Sequence, residues 1–200
     1  MFTKLIMKKT LENLAKAFVG ESQARNRYTV YASVAKKAWF LQISNVFLET
    51  AEQEKEHAER FFKMMQEFVK QEWWEIPSID VETTTMIKFG DTLMNLETSI
   101  NGEHGEWSDM YPEFAKVAEE EWYPQFAARI RAIMVAEKHH EERYKKLYDL
   151  VKDDKVFTRD EEIYRVCTKC GYVWKGKQPP MACPSCWHEK EYYVKMNEDF

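Results

Sequence analysis

Two phrases in this chain place a glutamate three residues before a histidine: Glu54-x-x-His57 in "EKEHAERF" and Glu137-x-x-His140 in "EKHHEERY". Residues three apart share one helix face with about 4.5 Å of rise between them, so both side chains reach one metal pair. Carboxylates suit iron or manganese and bridge two ions, while a neutral imidazole adds a terminal nitrogen. Two further glutamates, Glu21 and Glu103, each follow a glycine, Gly20 and Gly102. Four cysteines complete the reactive set, as the pairs Cys167-x-x-Cys170 and Cys183-x-x-Cys186 separated by twelve residues. That is a four-thiolate metal signature and not a disulfide pattern. The spacing alone accepts zinc or iron, a structural zinc ribbon being the more ordinary reading.

Something must hold these groups. Ile43, Phe47, Thr50, Glu54, His57, Phe61, Met64 and Phe68 step 4-3-4-3 along the chain, and so do Phe126, Ile130, Ile133, Glu137, His140, Tyr144, Leu147 and Val151. Such steps predict the inward stripe of a bundle helix. Leu14, Phe18, Glu21, Ala24 and Tyr28 make a third stripe, and Leu96, Ile100, Glu103, Trp107 and Met110 a fourth. Each is apolar except where it carries the candidate ligands. An ionised carboxylate buried without a partner costs several kcal/mol, so the centre of the bundle requires cations. The glycines before Glu21 and Glu103 are expected to let a facing helix or an inner ligand come close. Two hairpins, each with one lone Glu and one Glu-x-x-His, would be related by an approximate two-fold axis, the arrangement of ferritin-like di-metal bundles. Glu54 and Glu137, from facing helices, are the natural bridges. The symmetry breaks once: Glu106 stands three residues after Glu103, whereas Ala24 stands three after Glu21. His104, His139 and His188 lack such settings and read as surface or supporting residues.

The rest of the chain bounds the answer. Its 200 residues allow one large and one small domain, with a charged connector, "VKDDKVFTRDEEI", before a turn-rich segment. The expected division is a helical bundle over 1–151, a linker over 152–163 and a small loop-and-strand metal domain over 164–200. A net charge of −5 argues against nucleic acid as a partner. No apolar run reaches the roughly 20 residues that span a bilayer, and the N-terminus lacks a signal peptide pattern. A cytoplasmic protein without membrane attachment is expected.

With "AFVGESQARNRY", "ETAEQEKEHAERFF", "GEHGEWSDMYPEFAKVA", "VAEKHHEERY", "CTKCGYVW" and "CPSCW" in place, nearly the whole chain resembles a rubrerythrin. The resemblance implies a ferritin-like di-iron bundle followed by a rubredoxin-like domain with one iron on Cys167, Cys170, Cys183 and Cys186. It implies Glu21 as a terminal ligand, Glu54 and Glu137 as bridges, and Glu103 with His140 on the second iron. Glu106 and His57 become ligands exchanged at the first iron, and Tyr28 and Tyr111 match tyrosines near the site. Tyr172, Trp174 and Trp187 are expected to pack around the sulfurs. Gly105 and His139 stand where bulkier or aromatic residues are expected, and "WWEIPSIDVETTT" lengthens the middle connection.

The function implied is a peroxidase: hydrogen peroxide reduced to water at the di-iron centre, refilled through the rubredoxin-type iron. Electrons would come from a rubredoxin or an NAD(P)H-dependent reductase, and the chain would be a homodimer or larger. Two competitors use the same residues. A ferroxidase or iron-storage protein needs neither the cysteines nor Glu106, and a zinc-bearing structural module would show no turnover.

Overall fold

The computed structural model describes residues 8–197; residues 1–7 and 198–200, at the ends of the expected bundle and metal units, lie outside the described residues. The expected mainly α architecture is found. Helices α1 (Lys9–Lys37) and α2 (Leu41–Gln71) pack together as one hairpin. The connection 72–91 has neither helix nor strand. Then α3 (Thr92–Gly105), a π-helical turn (Glu106–Met110) and α4 (Tyr111–Glu120) follow one another without a break, and α5 (Pro124–Lys152) packs against them. None of these helices is long and apolar enough to cross a membrane.

Helix ends are set by local chemistry. The Asp91 carboxylate accepts the Met94 N–H at 2.8 Å, capping α3. Glu121, just past α4, accepts the N–H groups of Lys9 and Thr10 at 2.9 Å each, satisfying the first turn of α1 from another element. Three helices stop in the same way. Trp39, Trp73 and Trp122 take left-handed backbone at φ 64°, 57° and 72°, and the next aromatic donates its N–H five residues back: Phe40 to Ala35, Trp74 to Val69 and Tyr123 to Ala118. Glycine normally holds the left-handed position because an L side chain there costs roughly 1–2 kcal/mol. Trp122 is 87% exposed and recovers little by packing. Trp122→Gly is therefore expected to raise stability by about 1 kcal/mol, read as a higher melting temperature. A lower one would show that the indole contributes more than its conformation costs.

The bundle core is two apolar clusters with the candidate ligands between them. One contains Leu14, Phe61, Phe68, Tyr111 and Phe126; the other contains Tyr28, Phe47, Leu96 and Tyr144. The expected stripes on α2 and α5 contribute Phe61, Met64, Phe68, Phe126, Ile130 and Ile133 to the first and Ile43, Phe47, Tyr144 and Leu147 to the second. Of the two expected roles for the glycines before Glu21 and Glu103, close approach of a helix is not seen among the described residues: a Cβ built on Gly20 meets nothing within 4 Å, and one on Gly102 meets the Met86 sulfur from the 72–91 connection at 3.5 Å.

The small domain is a three-stranded antiparallel sheet of β1 (Ile163–Cys167), β2 (Val173–Gly176) and β3 (Tyr193–Lys195) in the order β2-β1-β3. It rests on the α1–α2 turn. Trp39 meets Tyr192 edge-on at 6.3 Å between ring centroids, and the Lys195 N–H donates to Gln42 Oε1 at 3.4 Å.

Candidate metal centre

Four helices aim six side chains at one point. Two overlapping groups form, Glu21–Glu54–His57–Glu137 and Glu54–Glu103–Glu137–His140, and within each group the ligand atoms lie within 4.8 Å of one another. Only Glu54 and Glu137 belong to both, which is the geometry a bridging carboxylate requires. All four glutamates are 0% exposed. His57 Nδ1 lies 2.8 Å from Glu137, 3.1 Å from Glu54 and 3.8 Å from Glu21. His140 Nδ1 lies 2.9 Å from Glu137, 3.1 Å from Glu54 and 3.5 Å from Glu103.

No lysine or arginine is paired with these carboxylates among the described residues. Instead the buried oxygens Glu21 Oε2, Glu54 Oε1, Glu103 Oε2 and both of Glu137, with His140 Nδ1, have no hydrogen-bond partner and converge on the shared space. Several such acceptors converging on one point fit a pair of cations. Carboxylates with two imidazoles are the donor set of iron or manganese.

Without metal, protons must compensate. Burial opposes charge on both imidazoles, yet the facing carboxylates outweigh it, pushing His57 up to about 10 and His140 to about 12. Glu103 is raised to about 8 by burial and the Glu54 charge, and Glu21 is raised by burial and by Glu137. Metal ligands must shed these protons. At pH 7, filling the metal-free site with two divalent ions should therefore release at least the two imidazole protons. Calorimetry in buffers of different ionisation enthalpy measures this, and release of none would exclude both histidines as ligands. Apparent two-ion affinity should fall at least about a hundredfold for each unit of acidification.

The two halves exchange supports across the site. The Tyr28 hydroxyl donates to Glu103, and the Tyr111 hydroxyl donates to Glu21. Tyr28 follows Glu21 by seven residues, two α-turns, but Tyr111 follows Glu103 by eight. The π-turn absorbs the extra residue and restores the match. It also displaces the expected inward stripe: Trp107 and Met110 are only partly buried, whereas Tyr111 is fully buried. Glu141 pins this turn to α5, accepting from Trp107 Nε1 at 2.6 Å and His104 Nδ1 at 3.1 Å. Glu106, at the start of the π-turn, belongs to neither ligand group. It lies beside them, half-buried, and its carboxyl is raised by burial and the Glu103 charge.

A further asymmetry escapes periodicity. His140 Nε2 donates to Gln53 Oε1 at 3.0 Å, which turns Nδ1 toward the carboxylates. The position equivalent to Gln53 in the second phrase is Ala136, which offers His57 no such partner. His140 is thus held through both ring nitrogens, whereas His57 is held through Nδ1 alone among the described residues. Gln53→Ala should weaken metal binding about 10–100-fold, the usual scale for a support behind a ligating histidine, measured by competition with a chelator. Unchanged affinity would make Gln53 a bystander.

In the small domain, Cys167 and Cys186 sulfurs lie 3.7 Å apart, and those of Cys170 and Cys183 lie 3.6 Å apart. A tetrahedron with metal–sulfur bonds of about 2.3 Å has edges of about 3.8 Å, so the four thiols fit one ion. Tyr172 and Trp174 pack against the buried sulfurs as expected, but Trp187 does not. It takes left-handed backbone at φ 62°, the position Gly171 fills after the first cysteine pair, and is turned outward to 82% exposure. His188 Nδ1 approaches Cys186 Sγ at 3.3 Å instead, a contact that the spacing of the cysteines did not reveal.

Comparison with known proteins agrees with this geometry. The Rubrerythrin family pattern matches residues 12–148, and that of the rubrerythrin rubredoxin-like domain matches residues 166–194. Rubrerythrin-1 of Clostridium acetobutylicum is 48% identical over 192 residues, covering 96% of each chain. A putative rubrerythrin of Methanocaldococcus jannaschii is 48% identical over 193 residues, covering 96% of this chain and 95% of its own. The mixed-valence structure of nigerythrin superposes with a TM-score of 0.62 at 30% identity, covering 98% of this chain and 90% of the other.

Proposed function

We propose that this chain, which belongs to the rubrerythrin family, reduces hydrogen peroxide to water. It is an oxidoreductase with a di-iron site in its bundle and a rubredoxin-type iron site on its cysteines. The observation that carries the proposal is the presence of both sites in one chain. Two ferrous ions supply, when bound, the two electrons that cleavage of an O–O bond takes up, and a single thiolate-bound iron passes electrons one at a time. Iron storage has no use for the second site.

The residues then take defined parts. Glu54 and Glu137 would hold both ions, Glu21 and His57 one, and Glu103 and His140 the other. Glu106 and His57 would be alternative ligands of the same ion. Tyr28 and Tyr111 keep Glu103 and Glu21 in place and stay protonated, because burial and the neighbouring carboxylates raise both phenols. Apolar clusters on either side exclude water from the layer between them.

Electron supply divides the chain into the bundle, 1–151, a connector, 152–163, and a delivering unit, 164–200. Gln42, which meets the small domain, precedes Glu54 by twelve residues of α2, about 18 Å of rise. A small domain seated there is remote from its own di-iron site, so delivery from a second copy is favoured and a homodimer or larger assembly follows. The donor is a reduced rubredoxin or an NAD(P)H-dependent reductase in the cytoplasm. The test is peroxide-dependent oxidation of reduced rubredoxin by iron-loaded protein, two donors per peroxide. A colourless zinc form without turnover, or ferrous oxidation with oxygen but none with peroxide, would overturn the proposal.

A further inference from the structure

Resting on the peroxidase reading, we infer that the cavity between Glu106 and the 72–91 connection binds the organic group of a hydroperoxide, so that alkyl and aryl hydroperoxides are substrates beside hydrogen peroxide.

The cavity has a volume of about 440 Å³. A water-sized molecule occupies about 30 Å³, so the space is more than ten times what hydrogen peroxide fills, and lies in the range of sites for small organic ligands. Its walls differ along their length. Glu106, close enough to the ligand cluster to feel the Glu103, Glu137 and Glu54 charges, is one wall, while Met86, Met110 and Phe114 supply apolar surface. Arg27 also lines it, and its Nε is buried without a hydrogen-bond partner among the described residues.

Three of the chain's six glycines, Gly20, Gly102 and Gly105, form part of the wall. All three sit inside helices, where glycine is unfavourable. No close backbone contact explains Gly20 or Gly105, since a Cβ on either meets nothing within 4 Å. What their missing side chains leave is room. The connection 72–91 lines the cavity through Glu82, Thr84 and Met86, which gives that unusually long segment a role.

An organic tail among the methionines and Phe114 directs the hydroperoxide end toward Glu106 and the site behind it. The reaction is ROOH + 2e⁻ + 2H⁺ → ROH + H₂O: the O–O bond breaks, both electrons come from the ferrous pair, and each oxygen leaves protonated.

The test uses the full iron-loaded chain with cumene hydroperoxide and hydrogen peroxide in parallel, and calorimetric titration with the product alcohol, 2-phenyl-2-propanol. Wild type is expected to turn over cumene hydroperoxide with kcat/KM at least a tenth of that for hydrogen peroxide, and to bind the alcohol. Gly105→Leu, which fills the cavity from a helix, and Met86→Trp, which fills it from outside any helix, should each weaken alcohol binding at least tenfold. Each should lower the ratio of the two kcat/KM values by a similar factor. Turnover of hydrogen peroxide with cumene hydroperoxide below a tenth of it overturns the inference, as does an alcohol affinity that neither variant changes. If neither peroxide is turned over, the peroxidase reading fails, and alcohol binding lost in both variants still establishes the site.

Discussion

Glu54→Ala is expected to lower iron in the bundle from two ions per chain to at most one and to abolish peroxide turnover. Glu54 and Glu137 alone face both halves of the site, and Glu54 is 0% exposed, so no neighbour or solvent replaces its carboxylate. Both histidines also face it, each at 3.1 Å, and lose part of their orientation with it. Glu54→Gln separates charge from shape: it fills the same volume but brings no negative charge between two cations, and should behave like the alanine variant. The folded bundle itself should survive, because the metal-free protein already balances its carboxylates with protons on His57 and His140. What disappears is the added stability of loading. At free iron about a thousand times its dissociation constant, wild type gains about 4 kcal/mol, and a variant that cannot bind gains none. Metal analysis and paired melting curves, with and without iron, decide the matter. Two tightly held irons in Glu54→Ala would remove it as a bridge.

Much of this centre was legible before any coordinates, for a definite reason. A glutamate or histidine at an a/d-like position of an apolar stripe conflicts with burial, and four such conflicts at one level of a bundle have few physical resolutions. The phrases around Glu54 and Glu137 carried that conflict in an unmistakable period. What periodicity missed involves either another element or a change of period. Gln53 lies off the stripe of α2, and only the packing of α5 beside it makes it the support of His140. Glu141 is buried where the first phrase has Ala58, and its partners His104 and Trp107 come from a different helix and turn. The π-turn left a fainter trace, the seven- and eight-residue offsets from Glu21 to Tyr28 and from Glu103 to Tyr111. A strict 4-3 reading carries Trp107 and Met110 inward instead. Gly20 was ambiguous for a different reason: an absent side chain signals either close approach or room for a ligand, and only the surroundings distinguish them.

In Cys170→Ser, turnover driven by a rubredoxin-type donor should fall about a hundredfold or more, beyond the loss usual for changes outside the ligand sphere. A single reaction of the chemically reduced bundle with peroxide should persist. The two sites share no ligand, and the small domain meets the bundle at Trp39 and Gln42, with the connector meeting Phe40, far along α2 from Glu54. Loss of the thiolate ion therefore leaves the six bundle ligands where they are. Serine offers a harder and far less acidic oxygen in place of a thiolate, and the remaining three sulfurs cannot close the same tetrahedron. The visible absorption of the thiolate-bound iron should disappear with it, while the iron content of the bundle stays at two. Removing residues 152–200 altogether should give the same kinetic result by a different route, since it takes away the whole delivering unit. The two variants together separate electron supply from folding: a domain needed only for stability would lower the melting temperature of the bundle in both without separating single from repeated turnover. Full donor-driven turnover in either variant would show that electrons enter the di-iron site directly. The four cysteines would then be a structural clasp, as a zinc ribbon is.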